Sequence, residues 1–298
     1  MKSLAFMIIV TLLFLDPTDP GNTKQEVQAN IQGSWELVSY IDHERNSDKW
    51  KSYKNEVIYQ KHITNNHFTW FKYNRTTDQL LGMGGGSYSI NEKGQYVENI
   101  EFFFPPGSSE LGQSIPFDVK FQEGKWYHKG EAKEMAIGQD GAMVMVGSIK
   151  IEEIWSPLIP SADNQKDLIG TWDLEKYRDE SEEIYMEYPI FTGYMKLLTP
   201  SHFVWIKYDR EGDQIFAAGA GSYEYDGDSY IEHLQMQHPS NSGILNSSIE
   251  FEADINSHKW IHNGRALLSK EEGPDTLVID EVWKPHVCDK DMEFPSTF

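Results

Sequence analysis

Beyond residue 30 the chain is a succession of short apolar runs, rich in Tyr, Phe, Trp, Val and Ile, separated by turn-forming clusters. Thr199-Pro200-Ser201 divides YMKLL from HFVWIKY, Asp226-Gly227-Asp228 divides SYEY from SYIEHLQM, and Glu123-Gly124 divides FDVKF from KWYHKG. Runs recur about every ten residues, which suits strands joined by tight turns and leaves no room for helical crossovers. No stretch here sustains the period of about 3.6 residues that a helix would need. The pattern predicts antiparallel strands pairing with their sequence neighbours. A meander of roughly eight strands with one apolar face must close or stack to hide that face, and closure also removes the exposed edges. The expected fold class is all-β, built of antiparallel up-and-down β-barrels.

The runs are written twice. Gly33-Ser34-Trp35-Glu36-Leu37 returns as Gly170-Thr171-Trp172-Asp173-Leu174, and the stretch from Tyr59 to Asn74 returns from Tyr194 to Asp209. Gly84-Gly85-Gly86-Ser87-Tyr88 returns as Gly219-Ala220-Gly221-Ser222-Tyr223, KWYHKG returns as KWIHNG, and Ile151 to Trp155 returns as Ile279 to Trp283. The offset holds at 134 or 135 through the middle and falls to 128 at the end, so the first copy carries extra residues between Gly130 and Glu153. That insert predicts a longer loop or longer hairpin arms. Internal repetition of this kind fixes the architecture as two consecutive barrels. The expected units are residues 30–156 and 168–286, joined by a proline-bearing linker at 157–167 and followed by a tail at 287–298.

The first residues read differently. Lys2 precedes an apolar run from Leu4 to Leu15, too short to span a bilayer but suited to the core of a signal peptide, expected to end near residue 29 at Val27-Gln28-Ala29. The expected location is therefore secreted or periplasmic, without membrane insertion. Cys288 is the only cysteine, so neither an intrachain disulfide nor a thiolate zinc site can form. A net charge of −21 argues against nucleic acid, whose phosphates need Lys and Arg.

Strand alternation gives each unit a candidate site, because residues two apart share a face. Tyr96 with Glu98, Trp126 with His128, and Glu153 with Trp155 pair in this way in the first unit. Tyr230 with Glu232, Trp260 with His262, and Glu281 with Trp283 pair in the second. If these faces look inward, each lumen combines aromatic walls with a few placed polar groups, the usual composition of a ligand pocket. The candidate ligand-binding residues are Tyr96, Glu98, Trp126, His128 and Glu153 in the first barrel, and Tyr230, Glu232, His233, Trp260, His262 and Glu281 in the second. A hydrogen-bonded structural network inside a narrow barrel is the alternative. Should the protein be an enzyme, Glu232, His233, His262 and Glu281 would be its acid–base groups. Convergence of His233, His262 and Glu281 could hold zinc, but Asn99 replaces His233 in the first copy, and neither metal nor cofactor is expected. His202 directly follows a turn, and a surface or strand-end role is expected for it.

The Gly-x-Trp opening of each unit resembles the start of a lipocalin-type barrel. The fuller pattern GTWDL, TPSHFVWIKYD, GAGSY, SYIEHL, KWIHNG and DEVWKP resembles small secreted bacterial lipocalin-like domains of uncharacterised function. The match runs from Gly170 to Pro285; the first copy departs from it at Thr64-Asn65-Asn66 and at Asn99. The resemblance implies barrels that hold small, often apolar molecules. The expectation is an exported protein binding a small molecule in one or both lumens. The alternatives are a barrel-2 enzyme performing hydration, elimination or isomerisation, and an accessory interaction protein with filled barrels.

Overall fold

The computed structural model describes residues 24–286 apart from 46, 54–55, 138–141, 161–162, 165, 212–213, 241–242, 257 and 271–272. The apolar run from Leu4 to Leu15 and the tail at 287–298 lie outside the described residues. One helix, α1 (Lys24–Ile31), precedes the first barrel. The first barrel comprises β1 (Gly33–Ile41), β2 (Trp50–Ser52), β3 (Val57–Ile63), β4 (His67–Asn74), β5 (Gln79–Ile90), β6 (Tyr96–Asn99), β7 (Phe102–Phe104), β8 (Ser114–Gln122), β9 (Lys125–Ile137) and β10 (Met143–Pro157). The second comprises β11 (Gly170–Tyr177), β12 (Met186–Glu187), β13 (Thr192–Leu198), β14 (His202–Asp209), β15 (Ile215–Tyr225), β16 (Ser229–His238), β17 (Ser248–Asn256), β18 (Lys259–Lys270) and β19 (Gly273–Pro285).

Both sheets are antiparallel and both close. In the first, β1-β3-β4-β5-β6-β8-β9-β10 form a ring of eight that returns to β1, with β2 and β7 as short side pairings. In the second, β11-β13-β14-β15-β16-β17-β18-β19 form the same ring and β12 flanks β11. The closing registers repeat, with Leu37 opposite Trp155 and Leu174 opposite Trp283, each followed by a bulge. A bulge adds twist where a barrel must turn its corner. The insert lengthens β9 and β10 into long hairpin arms.

The inward faces carry the core aromatics. Trp35 packs edge-on to Trp126 at 5.5 Å, and Trp172 to Trp260 at 5.7 Å. Each end tryptophan donates its indole N–H to a carbonyl four residues earlier, Ile31 in α1 and Leu168 in a 3-10 turn. Val27 and Ile31 are fully buried against barrel 1, and Gln28 donates to the Tyr88 hydroxyl. The helix is thus part of the barrel's packing. A cut after Ala29, the boundary suggested by the small residues, would remove most of it.

The two barrels pack face to face. The outward residues Ile58, Phe71, Tyr73 and Met83 of β3–β5 form one buried cluster with Met195, Leu197, Val204, Ile206 and Met236 of β13, β14 and β16. This explains why YMKLL and HFVWIKY read as nearly continuous apolar runs: they are covered on both faces. Ser34 Oγ lies 2.6 Å from Thr199 Oγ1, and Thr64 Oγ1 lies 2.7 Å from Thr171 Oγ1. Ser34 and Thr171 are repeat equivalents, as are Thr64 and Thr199, so the contact is the same one seen from each side. The barrels are therefore related by an approximate two-fold axis, as in an isologous dimer.

Neither His67 nor His202 is at the surface, although His202 does begin a strand as expected. They are 1% and 8% exposed because the neighbouring barrel covers them. The rings of His62 and His202 lie 5.6 Å apart across the interface. Burial drives their pKa values down, well below the ordinary value for His62, to about 3 for His67 and to about 4 for His202. In the unfolded chain these imidazoles titrate near 6.5. Below that pH the unfolded chain binds more protons, so their stability contribution is complete above pH about 6.5 and is lost as pH falls. Each contributes a slope of about 1.4 kcal/mol per pH unit in that window. Replacing His62 by Leu, whose equivalent Leu197 occupies this place in barrel 2, is expected to flatten the decline of the urea midpoint between pH about 6.5 and about 4. An unchanged slope in H62L would show that this histidine does not remain neutral in the fold.

Candidate functional site

At the centre of each barrel stands a lysine. Tyr59 and Lys61 on β3, and Tyr194 and Lys196 on β13, alternate inward. Lys61 Nζ lies 2.5 Å from Glu98 Oε1 and Lys196 Nζ 2.8 Å from Glu232 Oε1, all four side chains being at most 5% exposed. Aromatic rings surround each ammonium: Trp126 and Trp155 at 5.4 and 5.3 Å from Lys61, Trp260 and Trp283 both at 5.1 Å from Lys196. Their π faces favour a cation, and the carboxylate neutralises it. The Tyr230 hydroxyl donates to Glu232 at 3.0 Å.

Beside each lysine sits a histidine–carboxylate pair. His128 Nδ1 is 3.3 Å from Glu153 Oε2, and His262 Nδ1 is 3.3 Å from Glu281 Oε2. The imidazoles pack on Phe117 and Phe251 at 3.8 and 3.9 Å between ring centroids. Burial, then the adjacent lysine charge, lowers both histidine pKa values and keeps the rings neutral. For Glu153 and Glu281 burial acts upward, but the histidine hydrogen bond and the lysine charges outweigh it and hold both below the usual range.

Tyr96, Glu98, Trp126, His128 and Glu153 thus converge in the first lumen, and Tyr230, Glu232, Trp260, His262 and Glu281 in the second. His233 does not join them. As the neighbour of the inward Glu232, it points to the outer face, where it meets Ser248 Oγ at 2.8 Å and Glu224 Oε1 at 3.2 Å. It therefore cannot meet His262 and Glu281 around zinc, nor share acid–base work inside the barrel. The lysines were missed by sequence reasoning, although Tyr-x-Lys recurs in both copies at strand spacing. A charge in an apolar strand was the available signal.

The second lumen opens into a cavity of about 640 Å³. Leu174, Tyr188, Leu234, Ile249 and Ile279 form apolar wall, and Lys196, Glu232, His262 and Glu281 line its depth. Arg178 and Asp280 pair at its margin, and Asp280 accepts a hydrogen bond from the Tyr185 hydroxyl. Trp205 lies flat along β15, where a Cβ on Gly219 would come within 2.5 Å of the indole. That close approach accounts for glycine at this position more directly than a bend does.

Two further groups face this cavity. Lys207, on β14, sits over the Tyr194 ring at 4.4 Å. Gln237, on β16, is 4% exposed, and its side-chain oxygen has no hydrogen-bond partner. The repeat makes their counterparts legible. Lys72, opposite Tyr59 as Lys207 is opposite Tyr194, keeps the same stance at 4.5 Å. Gln237 corresponds to Phe103, which packs on Trp70 at 5.4 Å against the barrel 1 core. Ile244 corresponds to Glu110: the intervening loops have equal length, and Gln113 N bonds to Glu110 O as Ser247 N bonds to Ile244 O.

No family model and no curated protein matches the chain. Among solved structures it is similar to a DUF3598-family protein of unknown function from Nostoc punctiforme, at 10% identity over 89% of this chain and 99% of that one, with a TM-score of 0.22. It is also similar to a mutant of the vaccine antigen transferrin-binding protein B from Haemophilus parasuis, at 9% identity over 84% of this chain and 67% of that one, with a TM-score of 0.24. At these scores the fold rests on the closed rings of strands themselves.

The buried pair makes its own prediction. Removing one member leaves an uncompensated charge, so K196M is expected to cost about 3–5 kcal/mol of stability. The double change K196M/E232Q is expected to recover most of that loss in urea unfolding. Equal destabilisation of single and double variants would show that the lysine contributes by packing and not by charge.

Proposed function

We propose that this is an exported binding protein whose second barrel holds one small molecule in its lumen, while the first, filled by its own side chains, serves as a rigid partner. The observation that carries this reading is the difference between two lumens of the same design. Barrel 1 places Phe103 and Glu110 where barrel 2 places Gln237 and Ile244, and the cavity of about 640 Å³ lies on the barrel 2 side of that difference. Its size falls within the range of about 300–1,000 Å³ typical of small-molecule sites. The histidine–carboxylate dyad recurs in both barrels at the same 3.3 Å, which ties it to the shared packing and not to the open lumen.

The test is a titration with Nile red, a neutral apolar dye. Wild-type protein is expected to bind one dye per chain, and Q237F, which restores the barrel 1 residue, to bind at least about tenfold more weakly with an unchanged fold by circular dichroism. Unaltered binding in folded Q237F would place the dye elsewhere and remove the lumen as the site.

Export is the second part of the reading, supported by Lys2 and the run from Leu4 to Leu15. Among the described residues no helix is long and apolar enough to cross a membrane. Because α1 packs into barrel 1, the mature N-terminus is expected upstream of Val27 when the exported protein is analysed by intact-mass spectrometry. A mature form starting at Asn30 would contradict the helix's role in the barrel.

A further inference from the structure

The proposed lumen site also carries information about what it receives, and the first barrel supplies it. Glu110, half-buried on the loop after β7, feels the charges of Lys72, Lys61, Glu98 and Glu153, the last three of them groups of the barrel 1 lumen. Burial pushes its pKa up, and the charge of Lys72 opposes that rise. Barrel 1 thus has a carboxyl, Glu110, within the electrostatic reach of Lys72. In barrel 2 the lysine is kept, as Lys207, and the carboxyl is absent, because Ile244 stands in its place.

The consequence is an uncommitted cation on an apolar cavity wall. Among the described residues no ion pair or hydrogen bond engages Lys207 Nζ. Lys196 is already bound to Glu232. Glu281 acts on Lys207 electrostatically, but its carboxylate is taken up by His262 and by the indole N–H of Trp283 at 3.1 Å. Burial lowers the Lys207 pKa, as expected of an ammonium in an apolar setting without a contacting anion. Gln237 provides a second, independent sign. Its side-chain amide belongs to a residue that lines the cavity and is almost wholly buried, and its oxygen has no hydrogen-bond partner. Amide O and N exchange places by a flip, so this group can serve a carboxyl oxygen as donor or a carboxyl proton as acceptor.

We infer that the barrel 2 lumen receives an amphipathic monocarboxylic acid, its carboxyl group held at Lys207 and Gln237 in the place that Glu110 fills in barrel 1, and its apolar body lying along the Leu234, Ile249 and Ile279 walls. This rests on the lumen being the binding site. The lysine supplies the charge, the amide the orientation, and the indole of Trp205 and the aliphatic walls the bulk of the contact. Lys196 neutralises Glu232, while Glu281, hydrogen-bonded by the neutral His262, keeps its charge and acts on Lys207 without contacting it. The first barrel refuses the same ligand, since its carboxyl is already present.

The test measures displacement of Nile red by dodecanoate and by dodecanol, which share an apolar chain and differ in the acid group. Wild-type protein is expected to prefer dodecanoate by about tenfold or more. K207M keeps the length of the side chain and removes its charge; the preference is expected to fall to within about threefold while dodecanol affinity is retained. I244E, which copies the barrel 1 carboxyl into barrel 2, is expected to weaken dodecanoate at least about tenfold and dodecanol far less. I244E also decides the matter if K207M does not fold. Equal affinities for acid and alcohol in the wild type, or a folded K207M or I244E that keeps the full preference, would overturn the inference. Dye bound one per chain but displaced by neither probe would overturn the carboxylate while leaving the lumen reading intact. Dye binding unaffected by Q237F would remove the lumen reading first, and this inference with it.

Discussion

A buried ammonium group at the centre of each barrel is the constraint around which the rest is arranged. An isolated charge in a protein interior costs several kcal/mol, so Lys61 and Lys196 require a carboxylate in contact and favourable surroundings. Glu98 and Glu232 supply the first, and the tryptophans of the closing strands supply the second. Those tryptophans are in turn held by β1–β10 and β11–β19 pairing, so the charge at the centre and the closure of the sheet depend on each other. The histidine–carboxylate pairs extend this network: the rings remain neutral, and each ionised carboxylate places a second negative charge near the lysine.

With that centre satisfied, the remaining volume of each lumen is decided by a few side chains near the mouth. Duplication allows them to be compared within one molecule. The lysine on β4 and β14 is common to both barrels, whereas Phe103 and Glu110 have become Gln237 and Ile244. The cavity of about 640 Å³ in barrel 2 is lined by both Gln237 and Ile244. On the proposed reading, stability and recognition are separate: the core pairs hold the fold, and the positions that differ between the barrels would choose the ligand.

The face between the barrels supplies the other part of stability. Outward residues that would leave an apolar sheet in water are covered by the same residues of the other copy, and the reciprocal Ser34–Thr199 and Thr64–Thr171 contacts align the two. A single barrel of this sequence would expose that face. Tandem duplication thus solves within one chain what a two-fold dimer solves between two.

Much of this was legible from the sequence alone. Alternation and turn spacing determine closed antiparallel sheets, and the doubled motifs determine two of them, because those signals are local and repeat. The pairings of Glu98 with Tyr96 and of Glu232 with Tyr230 on one face follow from the two-residue period of a strand. That same period places His233 outside once Glu232 is known to face inward, but only the closed sheet shows which face is the interior. The partners across the lumen, Lys61 to Glu98 and Lys196 to Glu232, are 37 and 36 residues apart and meet only when the sheet rolls up. The burial of His67 and His202 is further removed still from local pattern. Both follow a turn, as surface residues do, and become interior because a second barrel, over a hundred residues away in sequence, covers them. Local periodicity specifies strands and faces; long-range contact alone decides which charges find partners and which faces stay dry.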